Sequence, residues 1–109
     1  MENSNGKATK SLNGMATPEQ IAEWKKKHGD VFQLKGGDKF GYIRAPKRAE
    51  VGLAFSYMAQ NPLKATEIIL QNCWLGGCED LRNDDKYFYA INAQVNEIIE
   101  MAEVEVKKL

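Results

Sequence analysis

The chain predicts an α+β domain that is mainly helical: an N-terminal helix, one β-hairpin, then three helices, the last one long and amphipathic. Three observations predict it. Residues 31–44 alternate in strand fashion about a Gly-Gly-Asp turn. Apolar residues then recur at three- and four-residue spacing in three separate stretches. Residues that start and stop helices stand at the borders of those stretches. A length of 109 residues with 43% hydrophobic content fits one domain with a small core.

Met1 to Ala16 is polar and has no period, so residues 1–16 are expected as a disordered tail and 17–109 as a single domain. Thr17-Pro18-Glu19-Gln20 is a helix start: Thr17 can cap, Pro18 suits the first helical position, and Gln20 stands where a capping box needs it. Ile21 and Trp24 share one face of that helix. Lys25-Lys26-Lys27-His28 puts positive charge at the negative end of its dipole, and Gly29 closes it.

Val31-Phe32-Gln33-Leu34-Lys35 and Lys39-Phe40-Gly41-Tyr42-Ile43-Arg44 read as two strands joined through Gly36-Gly37-Asp38. Ala45-Pro46 ends the second, because proline donates nothing to a ladder. Lys47 to Gln60 reads as a helix with Val51, Ala54, Phe55 and Met58 on its main face and Leu53 and Tyr57 roughly opposite. Gly52 weakens that helix by about 1 kcal/mol relative to alanine, which suits a close contact there.

Asn61-Pro62 breaks the chain and restarts it as a helix from about Leu63 to Leu75. Ala65, Ile68, Ile69 and Asn72 form one face, with Leu70 and Trp74 on the other side, and Gly76-Gly77 supplies the left-handed residue that helix ends favour. Asn83-Asp84-Asp85 starts the last helix. Its stripe runs Phe88, Ile91, Val95, Ile98, Ala102 and Leu109, flanked by Ile99 and Val106. The stripe spans barely three heptads, so it serves chiefly to pack on the chain's own helices, with an added partner contact as the other reading.

Composition removes several function classes. Fifteen basic residues balance 15 acidic ones, which gives no general attraction to nucleic acid or anionic membrane. No stretch approaches the roughly 18 apolar residues of a membrane span. Met1 to Met15 has no apolar signal core, so the expected compartment is the cytoplasm, where Cys73 and Cys78 stay as thiols.

Side-chain chemistry removes more. A structural zinc needs four ligands. Cys73, Cys78 and the single histidine, His28, supply three from distant segments; Glu79 or Asp80 could complete a set, but Cys73 falls on a helix face and no second pair exists. A redox pair wants Cys-x-x-Cys at a helix N-terminus, whereas Cys73 falls at a helix C-terminus with longer spacing. His28, the one available base for a nucleophilic triad, follows three lysines at a helix end and reads as a cap. Glu79-Asp80 and Asp84-Asp85 lack the spaced oxygens of a calcium loop. Neither double glycine joins a strand to a helix N-terminus as a phosphate loop does. No catalytic, cofactor-binding or metal-ligating residue is therefore expected. Lys35, Lys39, Arg44, Lys47 and Arg48 cluster near the hairpin with Phe40 and Tyr42, which leaves a small nucleic-acid-binding module as the alternative function.

What remains is apolar surface. Leu53 and Tyr57 on one helix, and Leu70 and Trp74 on the next, lie off the main faces. Helices apolar on two sides are either central in the fold or exposed to a partner.

One further resemblance rests on specific runs: Phe32-Gln33-Leu34, Tyr42-Ile43-Arg44-Ala45-Pro46, Ile68-Ile69-Leu70-Gln71-Asn72-Cys73-Trp74-Leu75-Gly76-Gly77, and the stripe Phe88 to Ile99. In this order, over about Pro18 to Leu109, the chain resembles the small tail assembly chaperones of long-tailed bacteriophages and prophages. None of these runs is catalytic. The resemblance implies a non-enzymatic protein that binds the tape-measure protein and keeps its long apolar helix soluble while tail-tube subunits assemble. It also implies self-association, no cofactor and a bacterial host cytoplasm. A helix is held by an apolar face rather than a reactive group, and Leu53, Tyr57, Leu70 and Trp74 are the residues expected to form that face.

Overall fold

The computed structural model describes residues 13–105, the last four as backbone alone. Residues 1–12 of the expected tail, the side chain of Ala102, and Val106 to Leu109 at the end of the expected stripe lie outside that description. The architecture is the mainly helical α+β one. The elements run α1 (Pro18–His28), β1 (Val31–Gly36), β2 (Lys39–Arg44), α2 (Arg48–Met58), α3 (Pro62–Cys73), β3 (Trp74–Gly77), α4 (Asp80–Asn83) and α5 (Asp85–Glu105).

Local capping chemistry sets most borders. The N–H of Gln20 donates to Thr17 Oγ1 at 3.1 Å, and the N–H of Thr17 donates to Gln20 Oε1 at 2.9 Å, the reciprocal pair of a capping box. Gly29, at φ 86°, ends α1 as expected. The strands pair antiparallel with Gly36 opposite Lys39, so Gly37 and Asp38 alone make the turn. Asn61 Oδ1 accepts the N–H of Lys64 at 3.2 Å and starts α3. Asp84 Oδ1 accepts the N–H of Lys86 at 3.1 Å just ahead of α5.

The main correction lies at the end of α3. The helix stops at Cys73 rather than running to Leu75, and Trp74–Gly77 forms a third strand against β2, giving the sheet order β1-β2-β3. Tyr42 faces Gly76, Ile43 faces Trp74, and the register slips between them. The glycines therefore serve close approach of strands rather than a helix cap. A Cβ on Gly77 would lie 2.6 Å from the Gly41 Cα, and one on Gly41 would lie 2.5 Å from the Trp74 ring. The sheet can close only where side chains are missing.

The sheet has two covered faces. On one, Leu34, Gly41 and Ile43 meet Trp74, Leu81 and Ile91, and this face joins the core formed with α2, α3 and α5. On the other, Tyr42 is buried beneath the Trp24 ring of α1, 5.5 Å away between centroids. The Tyr42 hydroxyl accepts from Gln33 Nε2 at 2.8 Å and from the N–H of Ala16 at 3.2 Å. Residues 13–16, expected in the tail, are thus tied to the sheet, and the N–H of Phe40 donates to the Asn13 carbonyl at 2.6 Å. The outer edge of β1 is blocked by α5: Gln94 accepts from the N–H of Lys35 at 3.0 Å and donates to its carbonyl at 2.7 Å. A side-chain amide there occupies the place of a neighbouring strand.

The two-sided helices have different fates. α3 is central: Ala65, Thr66, Ile68, Ile69, Leu70 and Cys73 are all buried, while Asn72, expected on its inner face, is exposed. α2 packs on α3 through Val51, Ala54 and Met58, and its other side is open among the described residues. Phe55, expected on the inner face, is 47% exposed. A four-residue spacing to Val51 places it at the flank of the inner arc, beyond the reach of α3.

Candidate functional site

A polar node joins the ends of β2, α2 and α3. Arg44 donates to both carboxylate oxygens of Glu50, at 2.9 Å to Oε1 and 2.7 Å to Oε2, and also to the carbonyls of Ala45 at 3.1 Å and Asn72 at 2.8 Å. Glu50 accepts in addition from the N–H of Lys47 at 2.8 Å and from Cys73 Sγ at 3.4 Å. The Arg44 guanidinium, with the Lys47 N–H and the Cys73 thiol, holds the Glu50 carboxyl down at about 2 against an ordinary 4.5. Burial, and then the Glu50 charge, push the Cys73 thiol up to about 12. This is the reverse of an activated nucleophile. The node is a clamp at a three-element junction, with its donors and acceptors already engaged. Its sequence signal was present: Glu50 stands three residues after Lys47, where a carboxylate reaches back to a helix start.

The thiols give the first test. Cys73 is buried and Cys78 half-buried, and both are free. In the native protein at about pH 8 a thiol reagent is expected to titrate Cys78 and leave Cys73 untouched until denaturant is added. Two equally fast thiols in the native state would contradict the clamp. Among the described residues, no three of His, Cys, Asp and Glu are grouped to hold a metal ion.

The basic residues near the hairpin do not form an open face. Arg44 is committed to Glu50, and Lys39 lies 3.4 Å from Asp80 with its Nζ over the Tyr87 ring. Tyr42 is buried under Trp24, and the Lys35 Nζ lies over the Phe40 ring. Lys35, Lys47 and Arg48 have no carboxylate side chain in ion-pair range among the described residues.

The four residues expected to form one partner-binding face are divided by the fold. Leu70 is 2% exposed and belongs to the core. Trp74 packs on the same core, with Gly41 beneath its ring and the Arg82 guanidinium 4.6 Å above it. Leu53 and Tyr57 are open, at 51% and 38% exposure, and share one flank of α2. Phe55, expected on the inner face, stands open on the opposite flank. The close contact expected at Gly52 is not found: an added Cβ there would meet nothing within 4 Å among the described residues.

One recess between α3, α4 and α5, about 480 Å³, is lined by Glu67, Gln71, Glu79, Arg82, Asn83 and Phe88 among others, and Glu79 is already ion-paired with Arg82. No helix among the described residues is long and apolar enough to cross a membrane. No family model matches the chain, and neither the curated proteins nor the solved structures yield a match.

Proposed function

We propose that this chain is a non-enzymatic tail assembly chaperone, which binds the apolar helix of a tape-measure protein and keeps it soluble while tail-tube subunits assemble in the cytoplasm of a bacterial host. The observation that carries the reading is the open side of α2, where Leu53, Phe55 and Tyr57 stand exposed within five positions. A helix apolar on every side belongs under cover, and in this fold α3 covers only one side of α2. The site offers burial and no reacting group, which is what holding an aggregation-prone helix requires. The engagement of Arg44 and Lys39 within the fold weighs against the nucleic-acid alternative, which needs cations available to phosphates.

Co-expression with a tape-measure fragment tests it. The fragment is expected to stay soluble and to co-purify with the wild-type chain. Replacing both Leu53 and Tyr57 with lysine is expected to send it to the pellet while the chaperone itself remains folded. Co-purification unchanged by that double substitution would count against α2. A fragment equally soluble with and without the chain would remove the function.

A further inference from the structure

We infer that β1 carries a strand-binding edge whose occupant is an extended segment of a partner protein, apolar at alternate positions and with a cation at the end of its apolar row. The site is built from β1 and α5, so it stands whether or not α2 holds a helix.

In an antiparallel ladder the backbone groups of successive residues point alternately toward the paired strand and away from it. Along β1 the even positions face β2: the Asp30 carbonyl, just ahead of the strand, accepts from the N–H of Ala45. The odd positions therefore face outward. Lys35 does so, and Gln94 engages both its N–H and its carbonyl. The Gln94 amide fills that one position. Two residues earlier, Gln33 is exposed, and its backbone N–H and carbonyl have no partner among the described residues. An unpaired donor and acceptor in the plane of a sheet are a template for another strand.

A recess of about 330 Å³ opens beside this free stretch. Phe32 and Leu34, on the core face of β1, form one wall, and Ile98 and Met101 of α5 form the other. Met101 is 50% exposed and Phe32 only partly buried. A strand laid along Gln33 sends every second side chain into this recess and covers both residues. Backbone bonds to Gln33 then supply affinity for an extended chain, and the recess selects for apolar side chains.

Charge chooses between occupants. Glu97 stands exposed at the rim of the recess, with no cation in ion-pair range among the described residues. A lysine or arginine at the end of the partner's apolar row complements it. A second copy joined edge to edge through β1 would place both α5 helices on one face of the continuous sheet, with Glu97 toward Glu97 and like charge opposed.

The probes are fluorescein-labelled octapeptides of alternating valine and threonine, with lysine or glutamate as the last residue of the valine row. The lysine peptide is also prepared N-methylated at alternate amides, in both registers, so that one version lacks the donors facing β1. In the free full-length chain the Gln33 amide is expected to exchange with solvent far faster than the Lys35 amide. Adding the lysine peptide is expected to slow Gln33, and one of the two N-methylated versions is expected not to bind. Gln33→Pro removes the outward N–H where an edge strand tolerates proline, and is expected to weaken binding by about tenfold or more. Met101→Ser, at an exposed position, is expected to weaken it severalfold in a chain that remains folded. Glu97→Lys is expected to reverse the preference toward the glutamate peptide. Binding of neither peptide by the wild type, or equal binding of both N-methylated versions, would overturn the strand edge. Equal binding by the wild type, Gln33→Pro and Met101→Ser would overturn its location. A Gln33 amide already protected in the free chain and released by dilution would assign the edge to a second copy and overturn the choice of occupant.

Discussion

Leu70→Asp is expected to unfold the domain. Leu70 is 2% exposed in α3, the helix on which α2 and α5 both pack. Truncating such a side chain to alanine costs about 2–5 kcal/mol. An aspartate adds the penalty of an unpaired buried charge, which is several kcal/mol more. A domain of this size commands only about 5–15 kcal/mol in total. Far-ultraviolet circular dichroism and tryptophan fluorescence are expected to report a chain without a cooperative transition. The same substitution at Leu53, half-exposed on α2, is expected to change stability by no more than about 0.5 kcal/mol. Cooperative unfolding of Leu70→Asp near the wild-type midpoint would mean that α3 is peripheral and that the core is assigned to the wrong residues.

Removing the clamp carboxylate is expected to cost less and to leave a pH signature. Glu50→Ala strands the Arg44 guanidinium at a junction where it is largely shielded from solvent, and the expected loss is about 3 kcal/mol at neutral pH. Because the Glu50 carboxyl titrates at about 2 in the folded state against an ordinary 4.5, its contribution is fully present above the ordinary value and is lost as pH falls from there through about 2. Urea midpoints of the wild type are therefore expected to fall between about pH 5 and pH 2, and those of Glu50→Gln to fall less over the same range. Parallel pH profiles for the two proteins would show that the pair contributes nothing to stability.

The contrast between Leu70 and Leu53 shows where the fold was legible in the sequence. Elements specified by neighbours in the chain were readable. Thr17 and Gln20 close a capping box within four residues, Gly37-Asp38 makes a two-residue turn, and Asn61-Pro62 restarts a helix. The strand Trp74–Gly77 was not readable, because its partner is β2, more than thirty positions earlier, and Trp74 and Leu75 continue the apolar pattern of the preceding helix. Its glycines carry two meanings in sequence, helix cap and close strand contact, and only the nearness of Gly41 and Trp24 decides between them. Leu70 and Leu53 look alike for a related reason. Each lies off its helix's main face, and which off-face is covered depends on α5, which packs on α3 more extensively than on α2. The polar clamp was half-readable: the reach of Glu50 to Lys47 is local, while its bond to Arg44 and the approach of Cys73 depend on how the three elements converge.

The proposed role, covering an apolar helix, is separated from a charge-driven one most directly by salt. Co-purification of the tape-measure fragment should be measured from low salt up to about 1 M, where the screening length falls to about 3 Å. The complex is expected to persist across the whole range and to be lost only when Leu53 and Tyr57 are replaced. A complex that dissolves as salt rises, or one that nucleic acid displaces at low salt, would contradict it.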